Sequence, residues 1–252
     1  NYRFIQAPTT QNIHLPKHFV EELKSAYDEQ YYRINVLGEF GDYTSGLVVK
    51  NFTSENIKNI NYQPQMDLHL TFDFNVDPMS CILAHRTKDK VFYFDEVILE
   101  NATTEATVRE VIRKYPSHKG RIIINGDASG DNRSTQSEWT NYVTIKNVLK
   151  KHYSNKSIIL AIRPSNPRIK NRIAAFNALV RDFNGERRLY VDKRCEKLLY
   201  NIYNLKYKPG TDIVDVPSVM SIKNENSLKF LEHPFDAASY LVEYYFPLRL
   251  TQ

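Results

Sequence analysis

Apolar and polar positions alternate in three successive runs, residues 67–74, 79–86 and 90–98, separated by the short turns "NVDP" and "TKDK". Alternation with period two predicts strands, and the tight spacing predicts an antiparallel meander. Upstream, Phe19, Leu23, Ala26 and Tyr27 recur at helical spacing, with Pro16 in the first turn, and predict one helix over 16–36. The turn-rich "GEFGDYTSG" leads into a short strand "LVVKNF" and a polar stretch to about Pro64.

Downstream the period switches repeatedly. "TTEATVREVIRKY" places Val108, Val111, Ile112 and Tyr115 on one helix face, with Thr103 or Thr104 as N-cap. A strand "RIIING", a helix from about Ser134 to Lys151 and a strand "SIILAI" follow. A helix over about 169–181 is expected to bury Ile169, Ile173, Phe176 and Val180. Another over about 193–205 is expected to bury Cys195, Leu198, Leu199, Ile202 and Tyr203. Residues 206–230 read as strand or loop, and a last helix covers about 235–246. A meander followed by alternating helix and strand predicts an α/β fold with a mixed sheet and helices on both faces. No repeat or low-complexity tract interrupts it.

Composition narrows the class. With 252 residues, 42% hydrophobic and 25% charged, the chain can bury a core of ordinary domain size, which excludes a disordered or fibrous protein. The net charge of +5 suits a polyanionic partner. Two cysteines, Cys81 and Cys195, both in predicted elements, argue against a disulfide framework and for a reducing compartment. No apolar run has membrane-spanning length and no signal-peptide pattern opens the chain, so a soluble intracellular protein is expected. The opening "NYRFIQAPTTQNIHLP" reads as the interior of a longer protein.

The candidate chemistry lies in three aspartates. Asp73 interrupts the strand "LHLTFDF", where an unpaired carboxylate is so costly that it must pair, shift its pKa or bind a metal. It also suits a cap of the "NVDP" turn. Asp127 follows the strand end "IIING", where α/β sheets bind ligands, although a Gly-rich turn there equally suits an Asx turn, a role for which Asp131 and Ser134 compete. Asp236 lies off the apolar stripe Ala238, Leu241, Val242, Tyr245 of the last helix, beside Tyr240 and Glu243, and faces either solvent or a cleft. An acid there also favours the helix dipole. Three hard oxygen donors suit Mg²⁺ or Mn²⁺, whereas zinc would want a His or Cys cluster that the chain lacks. Two such ions about 3.5–4 Å apart would activate a water and stabilise the leaving oxygen of a phosphodiester.

"TFDFNVDP", "NGDASG", "RPSNPRIKNRIAAFNALV", "YVDKRCEKLLYNI" and "HPFDAASYLVEYYFP" occur in this order, and together resemble the nuclease domain of a tailed-bacteriophage terminase large subunit. The resemblance covers roughly 64–247, and residues 1–63 are similar to the segment that follows the family's ATPase domain. It implies a ribonuclease H-like nuclease domain over 64–252. The implied enzyme is a divalent-metal endonuclease with two ions that cuts concatemeric viral DNA during packaging, with Asp73, Asp127 and Asp236 as the acidic triad. His233, in H-x-x-D, matches a residue beside the metals in some members, and Asp77 and Asp131 are further acids that could assist a second metal. The implied partners are double-stranded DNA, a portal protein and a small terminase subunit, without a membrane, in the cytoplasm of the infected bacterial host. No P-loop G-x-x-x-x-G-K-[ST] is present, so an ATPase would lie in sequence outside this chain.

DNA would be held by Arg163, Arg168, Lys170, Arg172 and Arg181, expected to project outward from one helix, with Lys193, Arg194 and the lysines of "LKYKPG" widening the patch. Such contacts give salt-sensitive, sequence-independent affinity. Two other readings share these residues: another ribonuclease H-like nuclease of the junction-resolvase type, and a non-catalytic module that docks DNA or the portal.

Overall fold

The computed structural model describes residues 8–39, 46–75, 77–131, 139–153 and 157–248. Six strands, β1 (Leu68–Asp73), β2 (Met79–Arg86), β3 (Val91–Leu99), β4 (Ile122–Gly126), β5 (Ile158–Leu160) and β6 (Leu189–Val191), form one sheet in the order β5-β4-β1-β2-β3-β6. The meander β1-β2-β3 is antiparallel, β4 and β5 continue it in parallel beyond β1, and β6 pairs in parallel with β3. A meander whose first strand has a parallel neighbour on its other side is the ribonuclease H-like arrangement that the resemblance implies.

Among the described residues, the chain forms helices α1 (Lys17–Ala26), α2 (Glu29–Asn35), α3 (Thr104–Lys114), α4 (Asn141–His152), α5 (Ile169–Val180), α6 (Glu196–Asn204), α7 (Val219–Asn224) and α8 (His233–Tyr245). Two cores flank the sheet. On one face Leu68, Leu70, Phe72, Cys81 and Leu83 meet Val108, Val111, Ile145 and Leu149 from α3 and α4. On the other, Ile82, Ala84 and Tyr93 meet Phe176, Leu198, Phe235, Ala238 and Leu241 from α5, α6 and α8. The alternation along β1 therefore does not separate core from solvent, because all six of its residues are buried. Its polar members His69, Thr71 and Asp73 face α8 instead, and each finds a partner on or beside that helix.

Several expectations are corrected. The helix over 16–36 breaks in two, because Asp28 accepts from the backbone N–H groups of Gln30 and Tyr31 and starts α2 afresh. "LVVKNF" joins no sheet. Leu47 makes an isolated bridge to Lys206, and Val48 and Val49 are buried against α5, where Asn177 accepts from Lys50 and donates to Val48. The three-residue strand β6 is an addition to the expected elements. Ile169 and Tyr203, assigned to buried stripes, are 51% and 47% exposed. Thr103 caps α3 as expected. The predicted helix start near Ser134 lies outside the described residues, and the described helix begins after the Thr140 cap. No described helix is long and apolar enough to cross a membrane.

Candidate active site

The end of β1 fixes the first carboxylate and the end of β4 the second. Phe72 is paired with Gly126 in the parallel register, and the Asp127 N–H donates to the Phe72 carbonyl at 3.3 Å, so Asp73 and Asp127 leave adjacent strand ends. Only glycine suits the turn: Gly126 has φ +150, and a Cβ there would stand 2.5 Å from the Phe72 oxygen. The Tyr142 hydroxyl then donates to the Asp127 carbonyl at 2.7 Å. The Asp127 carboxylate closes an Asx turn, accepting from the Ser129 N–H at 2.7 Å and its hydroxyl at 2.8 Å, and it also accepts from Asn166 Nδ2 at 2.6 Å. Asp127 thus stands at the strand end and forms the Asx turn expected there.

The third carboxylate arrives on α8. Asn201 of α6, fully buried, accepts from the N–H groups of Glu232 and Phe235 and so caps α8 from outside the helix. This holds His233 and Asp236 over β1. His233 Nδ1 lies 2.9 Å from Asp73 Oδ2, which also accepts from Asn75 Nδ2 at 2.8 Å. Burial works against the charged imidazole, but the bond to Asp73 and the charges of Asp73, Glu232 and Asp236 outweigh it and raise the His233 pKa. Asp236 turns inward onto Arg172 rather than to solvent. Arg172 Nη1 donates to its Oδ1 at 2.9 Å and Nη2 to its Oδ2 at 3.3 Å. Burial still raises the Asp236 pKa, and Asp73 adds to the shift.

Tyr240 packs on Arg172 beside this group. Its ring stacks on the Arg172 guanidinium, 4.3 Å from ring centroid to Cζ. Burial, then the charges of Asp127, Asp236 and Asp73, push its hydroxyl pKa up against the pull of Arg172. The carboxylates therefore share one electrostatic neighbourhood. Glu232, which the sequence pattern does not single out although it precedes His233, belongs there too. Burial, with Asp236 and Asp73 close by, pushes it up to about 7. Its φ of 95 is uncommon for a residue other than glycine.

Among the described residues no three His, Cys, Asp or Glu side chains already stand in a metal-holding arrangement. Each carboxylate is drawn to a local partner: Asp73 to His233 and Asn75, Asp127 to Ser129 and Asn166, Asp236 to Arg172. The donor chemistry nonetheless fits a hard divalent cation, because Asp73, Asp127, Asp236 and Glu232 all offer carboxylate oxygens. Asp77 is drawn aside by Lys229, 3.2 Å away. Asp131 is exposed and accepts from the Thr140 hydroxyl at 3.5 Å.

The expected basic patch needs correction. Arg172 does not project outward but is 3% exposed, because α5 is enclosed on every side from Arg172 to Val180. Arg181 caps the opposite end of α5, about 20 Å from Arg168 at the usual rise per residue. Arg163 is engaged by Glu243 at 3.0 Å and stacks on Tyr244. Arg168 and Lys170 are exposed at the start of α5, Lys170 lying 3.6 Å from Asp212. Lys193, Lys206 and Lys208 are exposed, and Arg194 pairs with Asp192 at 3.0 Å.

No protein-family model matches the chain, and no curated protein matches it. Its structure is similar to that of the large terminase from a thermophilic bacteriophage, at 12% identity and a TM-score of 0.61, covering 94% of this chain and 53% of that one. The same phage protein in complex with ATP-gamma-S gives 13% identity and a TM-score of 0.61 over 94% and 54%. A fainter likeness, at a TM-score of 0.49 and 13% identity, links 79% of the chain to 97% of the P22 large terminase nuclease domain. The chain thus spans about half the length of the large terminase it matches.

Proposed function

We propose that this chain, folded like about half of a large terminase, is the nuclease portion of such a protein: a divalent-metal-dependent endodeoxyribonuclease that cuts concatemeric viral DNA during genome packaging. What supports the reading is that Asp73 and Asp127 leave adjacent parallel strand ends, while α8, bonded to β1 through Thr71 and His233, carries Asp236. In this reading Asp73, Asp127 and Asp236, with Glu232 beside them, would hold Mg²⁺ or Mn²⁺, as two ions. The metal supplies Lewis acidity toward the scissile phosphate and the attacking water. His233 holds a proton at Nδ1 against Asp73, and Arg168 and Lys170 offer phosphate contacts without reading bases. Residues 1–63 would follow an ATPase portion and 64–252 would form the nuclease domain. The similar phage terminase is described with ATP-gamma-S bound, whereas this chain carries no P-loop. The remaining partners would be the portal protein and the small terminase subunit, in the cytoplasm of an infected bacterium.

The test is supercoiled plasmid and a four-way DNA junction, each incubated with the chain in Mg²⁺, Mn²⁺ or EDTA, with Asp73→Asn in parallel. Plasmid cleavage that needs the metal and disappears in the variant supports the reading. Preference for the junction would point to a resolvase-type enzyme. A folded sample that cuts neither substrate with any metal would overturn the nuclease reading in favour of a docking module.

A further inference from the structure

Two of the three candidate carboxylates are held from one short stretch of chain. Asn166 Nδ2 donates to Asp127 Oδ1 at 2.6 Å, while its Oδ1 accepts from the Ala128 N–H at 2.8 Å. Only one orientation of the amide satisfies both bonds, because a carboxylate needs a donor and an N–H an acceptor. Six residues on, Arg172 grips both oxygens of Asp236 with its fork, donates to the Ser239 hydroxyl at 2.7 Å and stacks on Tyr240.

The stretch between them is stiff. Pro164 and Pro167 fix φ at two positions, and Asn166, directly before a proline, is confined to extended backbone. Its upstream end is tied to β4: the Ala161 N–H donates to the Ile124 carbonyl at 2.8 Å, and Asn125 donates to the Ala161 carbonyl at 2.8 Å. Its downstream end enters α5, packed in the core.

Stability alone accounts poorly for this arrangement. A buried ion pair is a weak source of stability, since well-packed apolar residues often serve as well or better. What the Arg172 fork does impose is the orientation of the Asp236 carboxylate. It occupies one acceptor position on each oxygen and leaves the others available.

We propose that the β5–α5 connection is a positioning clamp, in which Asn166 and Arg172 fix the carboxylates of Asp127 and Asp236 relative to each other for one divalent-cation site. The clamp rests on the metal-nuclease reading. Neither residue touches the reacting atoms, and both act through the aspartate they hold.

Binding of Mn²⁺ to the whole chain without DNA, followed by calorimetry and by the electron paramagnetic resonance of free Mn²⁺, tests it in wild type, N166A, R172Q, R172K and N166A/R172K. Circular dichroism melts establish folding. Losing an orienting partner is expected to weaken Mn²⁺ binding about 10–100-fold in N166A and R172Q. R172K keeps the charge without the fork and should recover only part of the affinity. Through a shared clamp, the double variant should lose less than the product of the single losses.

Tighter binding in R172Q would make Arg172 a competing counter-ion and overturn the proposal. So would wild-type affinity in R172K, which would reduce the role to charge, or unchanged affinity in N166A, or losses that multiply in the double variant. If R172Q does not fold, N166A and R172K carry the test. A wild-type chain that cleaves and binds Mn²⁺ while the variants match it removes the clamp alone. A folded wild-type chain that binds no Mn²⁺ removes the nuclease reading and the clamp with it.

Discussion

The Thr71 hydroxyl donates to the carbonyl oxygen of Ala237, joining β1 to α8 two residues before Asp73 and one after Asp236. Thr71 is fully buried, so water is poorly placed to take over as donor. Thr71→Val keeps the shape and removes the donor. It should cost about 1–3 kcal/mol, the penalty for an unsatisfied buried acceptor, seen as a lower urea midpoint with unchanged slope. An unchanged midpoint would show that the bond does not anchor α8.

Gly126 sets the spacing of Asp73 and Asp127. At its positive φ, and with the Phe72 oxygen 2.5 Å from any added Cβ, Gly126→Ala must push β4 from β1. Strain of roughly 1–3 kcal/mol is expected in thermal or urea melts. Displacement of Asp127 by about an ångström should lower metal-dependent cleavage on the order of 10²-fold. Cleavage at the wild-type rate would remove Asp127 from the machinery.

Arg168 and Lys170 should behave differently from Arg172, their neighbour on α5. If the exposed pair meets phosphates, Arg168→Ala and Lys170→Ala should each reduce the slope of log affinity against log salt by about 1, with the fold intact. Arg172→Ala would leave Asp236 without its cation and should cost about 3–5 kcal/mol of stability. Duplex binding titrated across salt, beside melts of the three variants, checks the contrast. Equal slopes in all three would place the DNA elsewhere.

The contribution of Glu96 to stability should fall as pH rises from about 4.5 to 7. Glu96 accepts from the Lys197 and Leu198 N–H groups at the start of α6, yet burial outweighs those bonds and pushes its carboxyl up to about 7 from 4.5. Across that window the folded chain binds the proton that the unfolded chain has released. The resulting stability is full below the lower value and gone above the upper one. One such proton gives a slope of at most about 1.4 kcal/mol per pH unit. Glu232 shares the window, so E96Q should flatten the dependence without abolishing it. Unfolding free energies at pH 5 and 8 decide, and an equal drop in both proteins would refute the assignment.

What is legible in the sequence follows from where period and chemistry coincide. Asp73 stands out because a carboxylate breaks an alternating strand, and the meander beside it is plain from period two. Arg172 is misplaced when one apolar stripe is assumed for α5. Ala174, Ala175 and Ala178 already indicate that the other faces are apolar too, and a helix apolar all round is a buried one. Glu232 and Asn166 give no periodic signal. Their roles depend on which distant strand end the local turn meets, and single-chain patterning does not encode that. The strand β6 escapes notice because its three residues are too few to show a period.

The capping of α8 by Asn201 places the last carboxylate under the control of chain order. Asp73 and Asp127 can take their places when β1 and β4 pair, but Asp236 needs α6 folded beneath it and α8 laid across the sheet. A chain still being synthesised, with residues beyond α6 inside the ribosome, would therefore carry two of the three acids and no complete site. In the nuclease reading, the three acids would come together only once α8 has been made and laid over β1.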